Sequence, residues 1–359
     1  MKYILNKFIK ATVFVLLLLP ICGQAQVFEL EMLSSTVPTN LRGLCPIDAQ
    51  TIWVCGNNGH IGKTTNGGAN WQWFTPNTYE KSDFRDVYAF DAQTAIVMAS
   101  GTPAVILRTA DGGVTWQEVF KSEDSAVFLD GIDFWDNEHG ICVSDWVNKN
   151  PYYLETLDQG KTWKLIGGYE SEDEESKEHI ASFAASGTCI RAVNIDGEQG
   201  VLVAIASEKG KHGLLYFTLE YGFADYEFYE VPYASTAASQ GIFSLCIDTV
   251  QEVIWIAGGD YAQPTLGYSG YSGFDDGDFY LTTSQPSGYR SCIEQFMYND
   301  VSMVIACGLN GADITIADPD NAQWKSISRV PLNTAITSKK GNTVFLCGPQ
   351  GTIYRLAVK

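Results

Sequence analysis

The sequence contains few basic residues and few of the residue types that carry metal or nucleophilic catalysis. It has 23 lysine and arginine residues against 42 aspartate and glutamate residues, and four histidines among 359 residues. The histidines are scattered and neither an HExxH nor a CxxC pair occurs, so no transition-metal site is recognisable. A GxGxxG segment that opens a helix and a GxSxG nucleophile motif are also missing. We therefore expect neither a metal nor a cofactor.

Residues 1–25 have the features of an export signal. Three lysines precede the apolar run ATVFVLLLLPIC at 11–22, and GQA at 23–25 supplies the small residues that a signal peptidase reads. The run is short for a bilayer span and no stop-transfer segment follows it. We expect cleavage near Ala25, export to the periplasm or the cell exterior, no transmembrane anchor, and one domain at 26–359.

The expected mature chain is strongly acidic. Without the three lysines of the signal it carries 20 basic and 42 acidic residues, a formal charge of −22. Such a charge repels phosphate backbones and anionic lipids, which excludes nucleic acid as a partner. We expect a monomer whose partner is a protein or a glycan.

Cysteine usage leaves two alternatives open. The mature chain has eight cysteines, and an even number in an exported protein is typical of disulfides. However, Cys55, Cys307 and Cys347 recur at one position of an apolar run, in WVCG, IACG and FLCG. This repetition favours buried thiols at those three positions. Cys22 also leaves a lipoprotein alternative, which the bulky Pro20 and Ile21 before it disfavour.

A repeated phrase defines the architecture. TTNGGANWQ at 64–72, TADGGVTWQ at 109–117 and TLDQGKTWK at 156–164 share the form Thr-x-(Asp/Asn)-x-Gly-x-x-Trp, at spacings of 45 and 47 residues. The 334 residues after the signal divide into seven units of about 48 residues. Each unit offers four short strands and no helical period, which predicts an all-β, seven-bladed β-propeller.

The repeated phrase predicts a structural turn. Its Asp or Asn can accept backbone N–H bonds, its Gly can adopt positive φ, and its Trp can pack over the hairpin. The residues concerned are Thr64, Asn66, Gly68 and Trp71; Thr109, Asp111, Gly113 and Trp116; and Thr156, Asp158, Gly160 and Trp163.

This phrase resembles the Asp-box, or BNR repeat, of sialidases and related glycosidases. The fuller unit, with LRGL, FRDV and TTNGGANW, more closely resembles exported bacterial propellers of the photosystem II stability/assembly factor family. SFAASGT at 182–188 and GIFSL with GGDY extend the resemblance over essentially the whole mature chain. The resemblance implies a non-catalytic binding or assembly module with its Asp-boxes away from the binding face. Relatives sometimes carry an oxidoreductase label, for which this sequence has no cofactor motif.

The two ends of the chain predict how the ring closes. The last unit, NTAITSKKGNTVFLCGPQGTIYRLAVK, supplies three strands, whereas VFELEML at 27–33 is a lone strand before the first unit. We expect the N-terminal strand to complete the last blade, because an open ring would expose unpaired edges.

Loops that enter the innermost strands share one face with loops that join the second and third strands. The first set contributes Arg42, Arg85, Asp130, Phe183, Gln240, Arg290 and Asn333. The second set contributes Asn57, Asn58, Asp145, Trp146, Asp260 and Tyr261. Three arginines in such a ring are able to clamp an acidic ligand, or to form ion pairs that serve only stability.

Two functions remain open at this point. A binding module would use Arg42, Arg85, Arg290, Gln240, Asn58, Trp146 and Tyr261 as ligand contacts. A sialidase-like glycosidase would use Asp130, Asp145 and Asp260 as acid/base candidates. Against the glycosidase, the Arg-Ile-Pro signature is absent, since SRVP at 328–331 resembles it only loosely. The acidic segment YESEDEESKEH at 169–179 predicts a solvated loop and lacks EF-hand spacing for calcium.

Overall fold

The computed structural model describes residues 27–33, 37–166, 179–195, 197–207, 210–218, 226–233, 237–273 and 277–359. The predicted signal segment and most of the acidic segment lie outside these residues, so the expectations for them remain predictions.

The described strands form seven antiparallel sheets that follow one another along the chain, as the blades of a β-propeller. This confirms the predicted fold class. A first strand, β1 (Phe28–Leu33), precedes blade 1.

Blade 1 contains β2 (Leu41–Pro46), β3 (Ile52–Gly56), β4 (Ile61–Thr64) and β5 (Gln72–Phe74). Blade 2 contains β6 (Asp83–Ala89), β7 (Ala95–Ser100), β8 (Ala104–Thr109) and β9 (Gln117–Ser122). Blade 3 contains β10 (Leu129–Phe134), β11 (Gly140–Ser144), β12 (Tyr153–Thr156) and β13 (Lys164–Leu165). Blade 4 contains β14 (Ile180–Ala181), β15 (Ile190–Ile195), β16 (Glu198–Ser207), β17 (His212–Thr218) and β18 (Tyr226–Glu230).

Blade 5 contains β19 (Gln240–Asp248), β20 (Val253–Asp260), β21 (Gly267–Gly273) and β22 (Tyr280–Leu281). Blade 6 contains β23 (Cys292–Tyr298), β24 (Val301–Gly308), β25 (Gly311–Ile316) and β26 (Lys325–Ser328). Blade 7 contains β27 (Thr334–Thr337), β28 (Val344–Cys347) and β29 (Ile353–Val358). Short 3-10 segments lie at Pro319–Asn321 and Pro349–Gly351.

Strand β1 closes the ring as the outer strand of blade 7. It pairs antiparallel with β29 from Phe28 opposite Val358 to Leu33 opposite Ile353. The Phe28 ring also packs edge-on against Tyr298 of blade 6, with a centroid distance of 5.1 Å. The pairing protects an edge that would otherwise offer free N–H and C=O groups.

Neighbouring blades are joined at their inner strands by polar side chains. The Asp86 carboxylate accepts the Ile132 N–H at 2.9 Å, and the Asp133 carboxylate accepts the Ala192 N–H at 2.9 Å. Inner strands of separate blades form no shared ladder, so these side chains satisfy backbone donors that would otherwise be buried without a partner.

The repeated turns have one geometry in blades 1 to 3. In blade 2, Thr109 Oγ1 donates to the Asp111 carboxylate at 2.9 Å and accepts the Gly113 N–H at 2.9 Å. The same Asp111 oxygen accepts the Thr115 N–H at 2.9 Å, and Gly113 has φ of 94°. Equivalent bonds surround Thr64 and Asn66 in blade 1 and Thr156 and Asp158 in blade 3. Each turn joins the third strand of its blade to the fourth.

Basic side chains connect each of two such turns to the preceding blade. Lys63 on β4 donates to the Gly112 carbonyl at 2.6 Å, and Arg108 on β8 donates to the Gln159 carbonyl at 3.0 Å. The Gly112 N–H in turn bonds the Gln93 carbonyl, in the loop between the first and second strands. The repeated turns therefore lie on the same face as the loops between the first and second strands. They also form hydrogen bonds between neighbouring blades.

The eight cysteines of the described residues are all buried free thiols, including Cys55, Cys307 and Cys347. Within the described part of the chain, none of the helical segments has the length and apolarity needed to cross a bilayer.

Candidate functional site

Side chains at the mouth of the channel are positioned by β-bulges in the inner strands. In β2 the register shifts between Leu41 and Gly43, and in β6 between Phe84 and Asp86. The bulged residues are therefore Arg42 in blade 1 and Arg85 in blade 2, at the places predicted for them. A bulge leaves one residue unpaired and changes the direction of its side chain.

The inner strands of blades 3 and 5 contain the same bulge, but the bulged residue is not an arginine. In β10 the shift falls between Leu129 and Gly131, at Asp130. In β19 it falls between Ile242 and Ser244, at Phe243. The ring position of blade 5 is thus occupied by an aromatic residue.

Three of the bulged residues, Arg42, Arg85 and Phe243, line a cavity of about 510 Å³, the channel-mouth pocket, to which every blade contributes. Its principal side chains are Arg42, Arg85, Phe183, Phe243, Tyr261 and Tyr289. The pocket opens on the face of the second-to-third-strand loops, opposite the repeated turns.

One side of the pocket is cationic. Arg85 donates from Nε to the Asp83 carboxylate at 2.7 Å and from Nη1 to the Ala184 carbonyl at 2.8 Å. Arg42 differs, because no carboxylate among the described residues pairs with it and its buried Nε has no hydrogen-bond partner there. Burial, followed by the nearby charge of Arg85, lowers the pKa of Arg42. A half-buried guanidinium therefore faces the pocket without a bonded carboxylate partner among the described residues, and the charge of Asp83, which pairs with Arg85, offsets its burial only in part.

The opposite side is aromatic. Phe183 stacks on Phe243 with a centroid distance of 3.9 Å, and Tyr289 meets Phe243 edge-on at 4.9 Å. Tyr261 stands at the rim with 49% of its surface exposed, edge-on to Phe243 at 6.2 Å. Four rings thus provide an apolar wall across from the two arginines.

The segment 182–188, called here the channel floor, closes the bottom of the pocket. Ser186 donates to the Ser291 carbonyl of blade 6 at 2.7 Å, while Arg85 of blade 2 donates to the Ala184 carbonyl. Gly187 has φ of 72°, and a Cβ there would lie 2.2 Å from the Asp86 carboxylate. The floor separates the pocket from a second cavity of about 170 Å³.

The second cavity is lined by charged residues that already have partners. Arg191 pairs with Glu294 at 3.3 Å, and Lys339 donates to the Ala89 carbonyl at 2.9 Å. Glu294 also accepts the Thr337 N–H at 3.0 Å. These groups form contacts between blades, so we interpret the second cavity as a structural feature of the ring and not as a binding site.

The three carboxylates predicted as acid/base candidates do not line the pocket. Asp130 is fully buried, and neither of its carboxylate oxygens has a hydrogen-bond partner among the described residues. Asp145 accepts the Ser182 N–H at 3.0 Å. Asp260 is buried as well, and caps its loop by accepting the Ala262 N–H at 2.8 Å.

Arg290 does not join the other two arginines, in contrast to the expected cluster of three. Its side chain is fully buried and paired with Asp313, with Nε 3.0 Å from a carboxylate oxygen. It also donates to the Ser287 hydroxyl at 2.8 Å. A guanidinium sealed from water requires such an internal carboxylate, so Arg290 connects strand ends within blade 6.

Three other predicted contacts also lie outside the pocket lining. Gln240 donates to the Asp260 carboxylate at 3.2 Å. Asn58 is an exposed hairpin residue with φ of 57°. Trp146 is buried, and its indole N–H donates to the Tyr153 hydroxyl at 3.1 Å. Of the predicted ligand contacts, the structure brings together Arg42, Arg85 and Tyr261.

Within the described residues, no cluster of three or more His, Cys, Asp or Glu side chains has an arrangement that could hold a metal ion.

The fold and this site define a seven-bladed β-propeller with a cationic and aromatic pocket at one mouth of its channel. No protein-family model and no curated protein matches the chain. Among solved structures, YCF48 from Cyanidioschyzon merolae aligns over 91% of this chain and 98% of its own, with a TM-score of 0.63 and 16% identity. A structure of YCF48 bound to a D1 peptide aligns over 92% and 96%, with a TM-score of 0.59 and 16% identity.

The similarity also extends to a propeller of another kind. The WD40 repeats of RRP9 align over 92% of this chain and 98% of their own, with a TM-score of 0.64 and 9% identity. At such identities the likeness establishes the fold and leaves the ligand to be argued from the pocket.

Proposed function

We propose that the protein is a non-catalytic binding module whose channel-mouth pocket takes an acidic, partly apolar segment of a protein partner. The observation that carries this proposal is Arg42, a half-buried guanidinium without a carboxylate partner among the described residues.

The energetic reason lies in desolvation. Removing a charged group from water costs free energy unless an opposite charge or hydrogen-bond acceptors replace the water. Arg42 bears this cost beside a second cation, Arg85, whose charge further disfavours it, and the charge of Asp83 offsets these effects only in part. A ligand carboxylate would offset the cost for both and would form charge-assisted hydrogen bonds.

The aromatic wall supplies the second half of the recognition. Phe183, Phe243 and Tyr289 form a preorganised surface, and the exposed Tyr261 extends it to the rim. Apolar side chains bind such surfaces, and aromatic and arginine residues dominate binding energies at protein interfaces. A segment that pairs a carboxylate with a neighbouring apolar side chain therefore fits both walls.

The similarity to a propeller that was solved with a bound peptide supports a peptide ligand at the level of the fold. We further propose that the repeated turns are Asp-boxes with a structural role. The chain would then be an exported relative of the assembly-factor-like propellers, acting after cleavage near Ala25.

The geometry gives less support to the glycosidase alternative. A glycosidase needs two carboxyl groups about 5 to 10 Å apart on either side of an open substrate pocket. None of the described residues that line the channel-mouth pocket is a carboxylate, and Asp130 is sealed from it.

A rhodamine-labelled hexapeptide with adjacent glutamate and phenylalanine residues, the Glu-Phe probe, tests the proposal by fluorescence anisotropy. Arg42→Met keeps the apolar stem and removes the charge, so it should weaken binding by about 1.5 to 3 kcal/mol. Arg355→Met is the matched control, because Arg355 pairs with Glu31 on the outer edge of blade 7. A probe with glutamine in place of glutamate should bind wild-type protein as weakly as the Glu-Phe probe binds the Arg42 variant.

A second variant introduces a carboxylate of the protein itself into the pocket. Asn40 lines the pocket, and its side-chain oxygen accepts a hydrogen bond from Asn333 at 2.8 Å. Asn40→Asp keeps this acceptor and places a carboxylate in the pocket near Arg42, so it should compete with the probe. Equal affinity of wild type, Arg42→Met and Asn40→Asp for the Glu-Phe probe would refute the proposed site.

A further inference from the structure

A buried carboxyl pair lies directly behind the wall of the channel-mouth pocket. Asp130 occupies the bulge position of blade 3, the position that holds Arg42 and Arg85 in blades 1 and 2. Its side chain is fully buried, and neither of its carboxylate oxygens has a hydrogen-bond partner in the described chain.

Two ionised carboxylates cannot hydrogen-bond to each other, because neither has a proton to donate. The antiparallel pairing of β10 with β11 nevertheless places Asp130 and Asp145 next to each other, since Leu129 lies opposite Ser144 and the Asp145 N–H donates to the Phe128 carbonyl at 3.0 Å. Like charges at such a distance, out of water, are strongly unfavourable, so the stable arrangement of the pair holds one proton.

The surroundings of the pair favour retention of that proton. The titratable and charged groups that face it are Arg85 on β6, Cys142 on β11, Tyr153 on β12, His179 before β14 and Cys189 before β15. Arg85 already has two other partners, and His179 is exposed and near Asp145 only. Burial, followed by the charge of Asp145, raises the pKa of Asp130 well above its usual range. Burial also raises the pKa of Asp145, to about 6, although the Ser182 N–H and His179 lower it.

The pair is connected to the pocket in two ways. Asp145 accepts the N–H of Ser182, which begins the channel floor and lines the pocket. The charge of Asp130 also acts on Arg85, the second arginine of the cationic side. A negative charge that appears on Asp130 therefore competes for the same guanidinium that a ligand carboxylate would use.

We propose that Asp130 and Asp145 share a proton behind the pocket wall, and that loss of this proton weakens the binding of carboxylate ligands at Arg42 and Arg85. The inference rests on the proposed function and names the regulation of the same site. By linkage, an anionic ligand favours the protonated pair, so binding is coupled to proton retention. Affinity is then highest near pH 6, where ligand carboxylates are already ionised, and falls as the pH rises.

The proton itself is tested first, without a ligand. Infrared difference spectra of carbon-13 aspartate-labelled protein report protonated carboxyl groups across a pH titration. Wild type should show such a group at pH 7 that Asp130→Asn lacks. Asp86, whose pKa burial raises to about 7, contributes a band to both proteins and cancels in the difference. Identical spectra for the two proteins would overturn the shared proton and leave the proposed binding function standing.

The coupling is tested next with the Glu-Phe probe between about pH 6 and pH 9. Wild-type affinity should fall by about fivefold or more over this range, as expected for an allosteric coupling of ordinary size. Asp130→Asn mimics the protonated residue, so its affinity should match wild type at pH 6 and remain nearly constant above it. Glu138→Gln, in a loop on the opposite face, should follow the wild-type curve.

The possible outcomes distinguish the proposed proton coupling from the proposed binding function. Equal pH dependence in wild type and Asp130→Asn would overturn the coupling while the probe still binds. Absence of probe binding at every pH would overturn the proposed function, and the coupling with it, whereas the infrared titration would still report the proton. Asp145→Asn provides the same comparison if Asp130→Asn does not fold, because it also removes the second charge of the pair.

Discussion

Trp116 is the anchor of the repeated turn in blade 2, and its replacement by alanine tests whether that turn is structural. The ring is half-buried between blades 1 and 2, where it meets Trp53 edge-on at a centroid distance of 6.2 Å. Its indole N–H donates to the Gly113 carbonyl, at 3.1 Å, inside the turn itself. The side chain therefore connects the turn to the core and to its own backbone.

The magnitude follows from these contacts. Trp→Ala in a full core costs about 3 to 5 kcal/mol, and a half-buried ring should lose about half of that. The hydrogen bond adds about 1 kcal/mol and the aromatic pair about 0.5 to 1.5 kcal/mol. We expect Trp116→Ala to lower the free energy of unfolding by about 3 to 5 kcal/mol, measured by urea denaturation with far-ultraviolet circular dichroism.

Trp71 provides a matched control in blade 1. It holds the same position of the repeated turn, but its buried indole nitrogen has no hydrogen-bond partner among the described residues. Trp116→Phe should therefore cost about 1 kcal/mol more than Trp71→Phe. A loss below about 1 kcal/mol for Trp116→Ala, or loss of Glu-Phe probe binding in a folded Trp116 variant, would refute the reasoning.

Three further predictions concern stability. Arg290→Met leaves Asp313 buried without a counter-charge and should cost about 3 to 5 kcal/mol in urea denaturation, with probe binding per folded molecule unchanged. Deletion of residues 27–33 should expose the edge of β29 and produce concentration-dependent association, which light scattering would detect. Because the pKa of Asp130 is raised on folding, the folded state holds a proton that the unfolded chain releases above about pH 4. The unfolding free energy of wild type should therefore fall as the pH rises through this window, and thermal melts at pH 5 and pH 8 should show a smaller fall for Asp130→Asn.

The blade count and the closing strand were predictable because they depend on local, repeated chemistry. The turn phrase requires a Thr, an Asp or Asn, a Gly and a Trp at fixed offsets, and these offsets recur at the blade period. The lone strand at 27–33 and the three strands of the last unit complement each other, and the structure confirms their pairing.

The pocket was predictable in part. Arg42, Arg85 and Tyr261 were identified from their places in the repeat, whereas Phe243 and Tyr289 were missed. For Phe243 a signal exists in the sequence. The bulged strands share a four-residue pattern: an apolar residue is followed by the bulged residue, then by Gly, Asp or Ser, and then by a second apolar residue. The four examples are LRGL, FRDV, LDGI and IFSL. Alignment on this pattern would have replaced Gln240 with Phe243, because β19 begins three residues before its bulge.

The position of the Arg290 side chain could not be predicted from the local sequence pattern. β23 begins at Cys292 and shows no register shift of the kind found in β2 and β6. Arg290, two residues before this strand, is instead buried against Asp313, Ser287 and Asn310. Its partner Asp313 is 23 residues further along the chain, on β25. A contact of this kind depends on how two strands are packed, and no spacing rule encodes it.

The three arginines differ in the carboxylate partner that the chain supplies to each. Arg290 has a buried carboxylate partner, Arg85 has a partly exposed one in Asp83, and Arg42 has none among the described residues. Scarcity of acids does not account for this difference, since the chain contains 42 aspartate and glutamate residues. The bulge of blade 3 carries an acidic side chain, but Asp130 is fully buried and does not line the pocket. That a fold so rich in carboxylates leaves Arg42 half-buried, with no bonded carboxylate partner among the described residues, supports the proposal that a ligand supplies this carboxylate.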